Sequence, residues 1–141
     1  MRKILYAAVL IFTGASPALA DKIGVSMANF EGKFLTVLRN SMEDHAKSLT
    51  GVSLQVEDAQ NNLSKQLEQI RSFIAQGYDA IIVNPVATDA TPAMTKLGVE
   101  ARVPLVYVNR MPSDDPLPAK VSFVGSNELD SGTLQMQHVC K

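Results

Sequence analysis

After Pro104, the run Leu105-Val-Tyr-Val-Asn109 carries no charge and then delivers Arg110. A second run of this kind, Ala80-Ile-Ile-Val-Asn84, closes on Pro85. Short strands that are apolar throughout, rather than alternating with polar residues, suit a sheet covered on both faces. That requirement constrains everything between the two runs. The intervening and flanking segments must supply helices with one apolar stripe each, and parallel strands need crossovers of that length.

The chain meets the requirement from Lys22 onward. Ile23 to Ala28 is expected as a first strand. A loop, Asn29 to Lys33, leads to a helix with Leu35, Leu38, Met42, Ala46 and Leu49 on one face, three or four residues apart. Gly51 follows as a C-terminal cap. Val52, Leu54 and Val56 alternate with polar residues, as an edge strand would. Asp58 to Asn62 is a polar turn rich in capping residues. The next helix carries Leu63, Leu67, Ile70 and Ile74 and ends at Gly77. A third helix begins near Thr91, with Pro92 in its first turn, where a missing N–H costs nothing. A Pro- and Asp-rich loop, Met111 to Lys120, precedes a last strand, Val121 to Gly125, and a fourth helix starts near Leu129. The pattern β-α-β-α-β-α-β-β-α predicts an α/β fold with a doubly wound, mostly parallel sheet.

The first twenty residues read as a targeting signal. Arg2 and Lys3 are its positive end, Ile4 to Phe12 its apolar core, and Ala18-Leu19-Ala20 a cleavage site. The apolar run is shorter than the roughly 20 residues a bilayer requires. The mature chain is expected to start at Asp21 and to be exported, with no membrane insertion after the signal is removed. Of the 141 residues, 46% are hydrophobic and 19% charged, as in ordinary globular proteins. Net charge is −1, and −3 without Arg2 and Lys3, so no nucleic-acid footprint is present. Cys140 is the only cysteine, which excludes an internal disulfide and a thiolate metal cluster.

Candidate binding residues gather where strands end. In open α/β sheets, ligands bind outside the carboxyl ends of the strands. Asn109 and Arg110 fall at one such end, and Phe30, Glu31 and Phe34 in or just beyond the loop after another. Asn and Arg do not titrate near neutral pH, and together they offer many donors. They suit a hydroxyl-rich ligand better than proton transfer. No nucleophile elbow, P-loop, zinc helix or dinucleotide fingerprint is present, so no catalytic residue, metal site or cofactor is assigned. His45 and His138 read as surface residues, and Asp114-Asp115 as a solvated loop pair.

Five segments together resemble the ribose-binding-like periplasmic substrate-binding proteins, of periplasmic binding protein type 1. They are Lys22-Ile-Gly-Val-Ser-Met27 with Phe34-Leu35, Asp58-Ala-Gln-Asn61, Gly77 to Pro85, Pro104 to Arg110, and Val124-Gly-Ser-Asn127. Ser26 to Phe30, Phe34 to Arg39, Val106 to Arg110 and Asp130 to Thr133 are most similar to the rhizopine and inositol binders. The resemblance implies a Rossmann-like, flavodoxin-like lobe that grips a sugar or cyclitol without chemistry. It implies residence in the periplasm and an ABC-transporter permease in the inner membrane as partner. Phe30 and Phe34 would lie against C–H faces, and Asn109 and Arg110 would meet hydroxyls. Gln60 is expected to brace the pocket or cap the second helix, and Asn84 to form a turn before Pro85.

Two departures qualify this. Where relatives often carry Asn or Asp before a Phe pair, this chain has Glu31-Gly32-Lys33. Glu31 could face a cationic substituent, whereas Gly32 offers no side chain. Relatives also continue into a second lobe after the fourth helix, so residues 21–141 are expected to be the N-terminal ligand-binding lobe alone, truncated. Two alternatives share the fold: the ligand-sensing core of a LacI-type regulator, and a small flavodoxin-like enzyme. The first would need a helix-turn-helix where the signal stands. The second would need a phosphate-cradling loop, and Asn29 to Lys33 carries one Gly and a carboxylate instead.

Overall fold

The computed structural model describes residues 20–140. The expected signal peptide lies outside the described residues, apart from Ala20. Strands β1 (Asp21–Met27), β2 (Val52–Asp58), β3 (Ala80–Val83), β4 (Leu105–Val108) and β5 (Val121–Val124) form one parallel sheet. Its order is β2-β1-β3-β4-β5, with helices α1 (Lys33–Ser48), α2 (Leu63–Ala75), α3 (Thr91–Ala101) and α4 (Glu128–Val139) between or after the strands. A single 3₁₀ turn, Thr88–Ala90, leads into α3. This is the flavodoxin-like strand order, whose direction of growth reverses between β1 and β3. The expected doubly wound α/β architecture is therefore present. Alternating β2 is an edge strand, and apolar β3 is central.

The two faces of the sheet carry separate cores. On one, Ile70 and Phe73 of α2 and Met94 of α3 pack on Ile81, Val83, Leu105, Tyr107 and Val121. On the other, Leu35 of α1 meets Val25 and Met27, with Leu38, Met42, Leu54, Val56 and Ile82 around them. Ile82 facing one core while Ile81 and Val83 face the other is the period of two that a strand imposes. This is why β3 has to be apolar at every position. Leu49, expected on the α1 stripe, lies past the end of the helix and is 45% exposed. No residue of α4 is buried.

Local sequence explains the ends of α2. The Asn62 side chain accepts from the Lys65 N–H at 3.0 Å, satisfying a first-turn donor. Gln60, expected as a possible cap, is exposed, and Asn62 takes that role. At the other end Gly77 adopts φ 71°, so that its N–H reaches Ile74 O and that of Tyr78 reaches Phe73 O. The Phe73 and Tyr78 rings then meet with centroids 4.8 Å apart, the apolar contact that accompanies such a cap. The Phe73 ring also lies over Gly24 of β1, where an added Cβ would fall 2.5 Å from it. Only glycine lets α2 sit this close to the sheet.

Tyr107 is fully buried, and its hydroxyl donates to Thr91 O at 3.0 Å and pairs with Thr95 Oγ1 at 2.9 Å. Thr95 also donates to Asp114 at 3.1 Å, and Thr91 Oγ1 accepts from the Ser113 N–H at 2.9 Å. These hydroxyls tie the loop after β4 to α3. Asp114, expected as solvated, is half-buried and holds that loop. Burial pushes the Tyr107 phenol from 10.0 up to about 12. An acid whose folded pKa is raised favours the protonated folded state, so its contribution is complete below pH 10 and lost as pH rises through 12. The phenolate absorbance of the protein minus that of Tyr107→Phe should therefore show a midpoint near pH 12. A midpoint near 10 would mean that the phenol is wet.

Candidate ligand-binding crevice

Carboxyl ends of all five strands lie on one edge of the sheet, because the strands are parallel. With β3 between them, the ends of β1 and β4 are two strand spacings apart, about 10 Å. The loop after β1 lies on one side of β3 and Asn109 and Arg110 on the other, as the two candidate walls of a site. The groove between α1 and β2, lined by Glu43, Lys47, Val52 and Leu54, lies nearer the opposite edge and touches none of these residues.

The first wall is held by Asn29. Its Oδ1 accepts from the Glu31 N–H at 3.2 Å and the Gly32 N–H at 3.4 Å, and its Nδ2 donates to Asn61 at 3.0 Å. Thr36 donates to Phe30 O at 3.0 Å. The loop is thus pinned from three sides before any ligand arrives. Phe34, in the first turn of α1, is 61% exposed, while its neighbour Leu35 turns inward. The helical period puts consecutive residues on different faces, which leaves the Phe34 ring open to a ligand. Phe30 differs from the expectation that a polar loop keeps it out of the core. It is half-buried against the Val25–Met27 cluster, and the Arg39 guanidinium sits 4.3 Å from its ring centroid. One of its faces is therefore occupied. Glu31 is exposed.

The second wall begins one residue earlier than expected. Strand β4 ends at Val108, and Asn109 takes φ 68°. The Arg110 N–H donates to Val108 O at 2.8 Å, closing a three-residue γ-turn around Asn109. Such a turn with positive central φ is strained, and Asn tolerates the region better than most residues. The turn re-aims Arg110 toward the neighbouring strand. There Arg110 Nη1 donates to Pro85 O at 3.0 Å and to Val86 O at 2.9 Å. These use two of the five guanidinium donors and leave three for a ligand.

Beneath the crevice lies a network that the sequence reading did not assign to the site. Gln66 and Gln69 of α2 and Asn84, after β3, are buried. Gln66 Nε2 donates to Asn84 O at 3.0 Å and to Ser26 Oγ at 3.3 Å, and Gln66 Oε1 accepts from the Val86 N–H at 2.8 Å. Ser26 Oγ donates to Gln69 Oε1 at 2.7 Å, and Gln69 Nε2 to Asp58 O at 3.0 Å. Asn84 Nδ2 donates to Val108 O at 3.2 Å, and its Oδ1 accepts from the Ala28 N–H at 3.4 Å. Asn84 is thus a brace between the ends of β1 and β4 as well as a turn residue. The available signal was two glutamines, i and i+3, flanking apolar Leu67 and Ile70 on an otherwise amphipathic helix. Among the described residues, no buried side-chain polar atom lacks a partner, and no three His, Cys, Asp or Glu residues cluster as metal ligands would.

Comparison with known proteins bears on the family and the fold. Residues 23–141 match the family described as "Periplasmic binding protein domain". A Rhizobium meliloti protein named "Putative rhizopine-binding protein" is 60% identical over 136 residues, 96% of this chain and 43% of that relative. An ABC transporter solute binding protein from Bacillus halodurans, solved with bound myo-inositol, superposes with a TM-score of 0.79 at 34% identity. It covers 86% of this chain, and the match spans 42% of the solved one. A Caulobacter myo-inositol binding protein gives 0.78 at 30% identity, over 85% of this chain and 40% of its own. The chain thus spans less than half the length of each of these relatives.

Asn109 separates backbone from ligand effects. Asn109→Gly should leave thermal stability unchanged or slightly raised, because glycine takes φ 68° without strain. Asn109→Val should cost about 1–3 kcal/mol in chemical denaturation. Equal stability of the two variants would remove the strained turn from the account.

Proposed function

Because the chain belongs to the periplasmic binding protein domain family, we propose that it is the ligand-gripping lobe of an exported solute-binding protein that delivers a cyclitol to an ABC importer. The ligand class is supported by relatives named for rhizopine binding and for myo-inositol binding, taken with the chemistry of Asn109 and Arg110. The observation that carries the proposal is Arg110, fixed on Pro85 O and Val86 O with three donors still open. A fixed fork of neutral-pH-invariant donors recognises vicinal hydroxyls. Asn109 adds an amide, and Phe34 an exposed ring against the C–H face of the ligand. No proton has to move for this task, and binding is the whole of it. The N-terminal signal supports export to the periplasm, with cleavage after Ala20, and a membrane permease is the implied partner.

Within the cyclitols, Glu31 favours an amino-substituted member. Its carboxylate is exposed in the loop after β1, where water and a ligand ammonium can both reach it. Glu31→Gln should then weaken an aminocyclitol by up to roughly fivefold while leaving myo-inositol unchanged, the modest size reflecting water screening at the loop. Equal loss for both ligands would leave Glu31 a solvated loop residue.

Calorimetric titration with myo-inositol tests the main reading. In a full-length, two-lobed version Arg110→Ala should cost about 1.5–3 kcal/mol, since a charged donor is removed and the ligand oxygens it served stay unpaired. Unchanged affinity would take Arg110 out of the site. Residues 21–141 alone cover one ligand face and leave the other in water. They should bind no tighter than about millimolar, or roughly 4 kcal/mol, and micromolar binding by a monomer would show that one lobe suffices.

A further inference from the structure

The Arg110 guanidinium does not rest on its own strand. Both of its internal hydrogen bonds go to the carbonyls of Pro85 and Val86, the loop that follows β3. The aim of its three open donors is therefore no better defined than that loop. Proline at position 85 has no N–H, and Val86 stands beyond the last residue of β3, so the sheet ladder does not hold these two carbonyls.

What holds them is the Gln66 side chain, reaching from α2. Its amide spans the loop from inside, with Nε2 on Asn84 O at 3.0 Å and Oε1 on the Val86 N–H at 2.8 Å. The residues before and after Pro85 are thus gripped by one buried side chain, and Arg110 grips the same segment from outside. A second route runs through the Asn84 side chain, which holds Val108 O at 3.2 Å. Val108 O is also the acceptor that closes the Asn109 turn. We infer that Gln66 is a positioning residue for ligand specificity: it fixes the Asn84-Pro85-Val86 backbone, and through it the direction in which Arg110 presents its free donors. Gln66 touches no ligand in this arrangement. An amide is required because it donates to one neighbour and accepts from the next, which neither a carboxylate nor an apolar side chain of that size does.

This rests on the reading of Arg110 as a ligand contact, and the test separates the two. Gln66→Met keeps the volume and removes both hydrogen bonds to the loop, together with the one to Ser26. In a full-length, two-lobed version with Arg110 present it should weaken myo-inositol about tenfold, the loss expected when a fixed contact becomes a mobile one. In an Arg110→Ala background it should change affinity by less than about twofold, because the group it aims is absent. A merely structural role would instead lower affinity equally in both backgrounds, which would overturn the inference. A second readout needs no ligand. Two hydrogen bonds through Nη1 slow rotation of the guanidinium, so nuclear magnetic resonance should show separate Arg110 Hη signals in the wild type and averaged ones in Gln66→Met. Signals that stay separate in Gln66→Met would also overturn it. If the wild type fails to bind any cyclitol, the functional reading falls while this readout still decides the role of Gln66. Where Gln66→Met does not fold, Gln66→Glu, which keeps the acceptor for Val86, is read in the same way. It should give a smaller loss than Arg110→Ala and a faster Arg110 rotation than the wild type. No change in either would count against the inference.

Discussion

A parallel ladder that stops leaves backbone donors and acceptors without partners at the carboxyl ends of its strands, and those ends are where this fold places its site. Asn84 answers that constraint. Its own N–H continues the β1 pairing to Ser26 O, its Nδ2 takes Val108 O from β4, and its Oδ1 takes the Ala28 N–H from β1. One residue thus ties the end of its own strand to the ends of β1 and β4, and Gln66 in turn takes the Asn84 carbonyl. Leaving any of these groups buried and unpaired would cost about 1–3 kcal/mol. The floor of the crevice is rigid because the sheet could not end there otherwise.

The network is made of amides and hydroxyls rather than charges. A buried carboxylate or ammonium in the same place would pay a desolvation cost that a single partner seldom repays. Gln, Asn and Ser avoid that cost and keep their bonding pattern at any pH where the fold survives. The charges that are present, on Arg110, Glu31 and Arg39, sit at or near the rim, where water shares the cost. A crevice floored by neutral donors and acceptors matches a neutral, hydroxyl-rich solute, and the charge at the rim is free to select among substituents.

Much of the architecture was legible in the chain because burial on two faces demands apolar runs that nothing else explains. Ala80–Val83 and Leu105–Val108 are such runs, and both are strands at those places. Ends were harder to read. Asn109 closes an uncharged run and reads as its last residue, and its positive φ reveals a turn. Phe30 stands among polar residues in sequence, yet it folds back under Arg39 onto the core. Gln66 and Gln69 were missed for a physical reason: on a helix, polar residues are assumed to face water, and one sequence does not reveal which of two stripes points inward. Their partners, the Asn84 and Asp58 carbonyls, belong to the backbone and leave no mark in composition.

Arg110 shows how the parts depend on one another. A side chain of that length, left free in water, would lose up to about 2 kcal/mol of rotamer entropy on meeting a ligand. Here two of its donors are already committed to Pro85 and Val86, so much of that ordering has been completed during folding. The strain of the Asn109 turn has the same effect from the backbone side, since it fixes the direction in which the chain leaves β4. Strain at Asn109 lowers stability locally, and the two apolar cores on either face of β3 offset it. What the fold gains in exchange is a donor fork that is aimed before the ligand arrives, and a ligand that binds a preformed fork loses less entropy on binding.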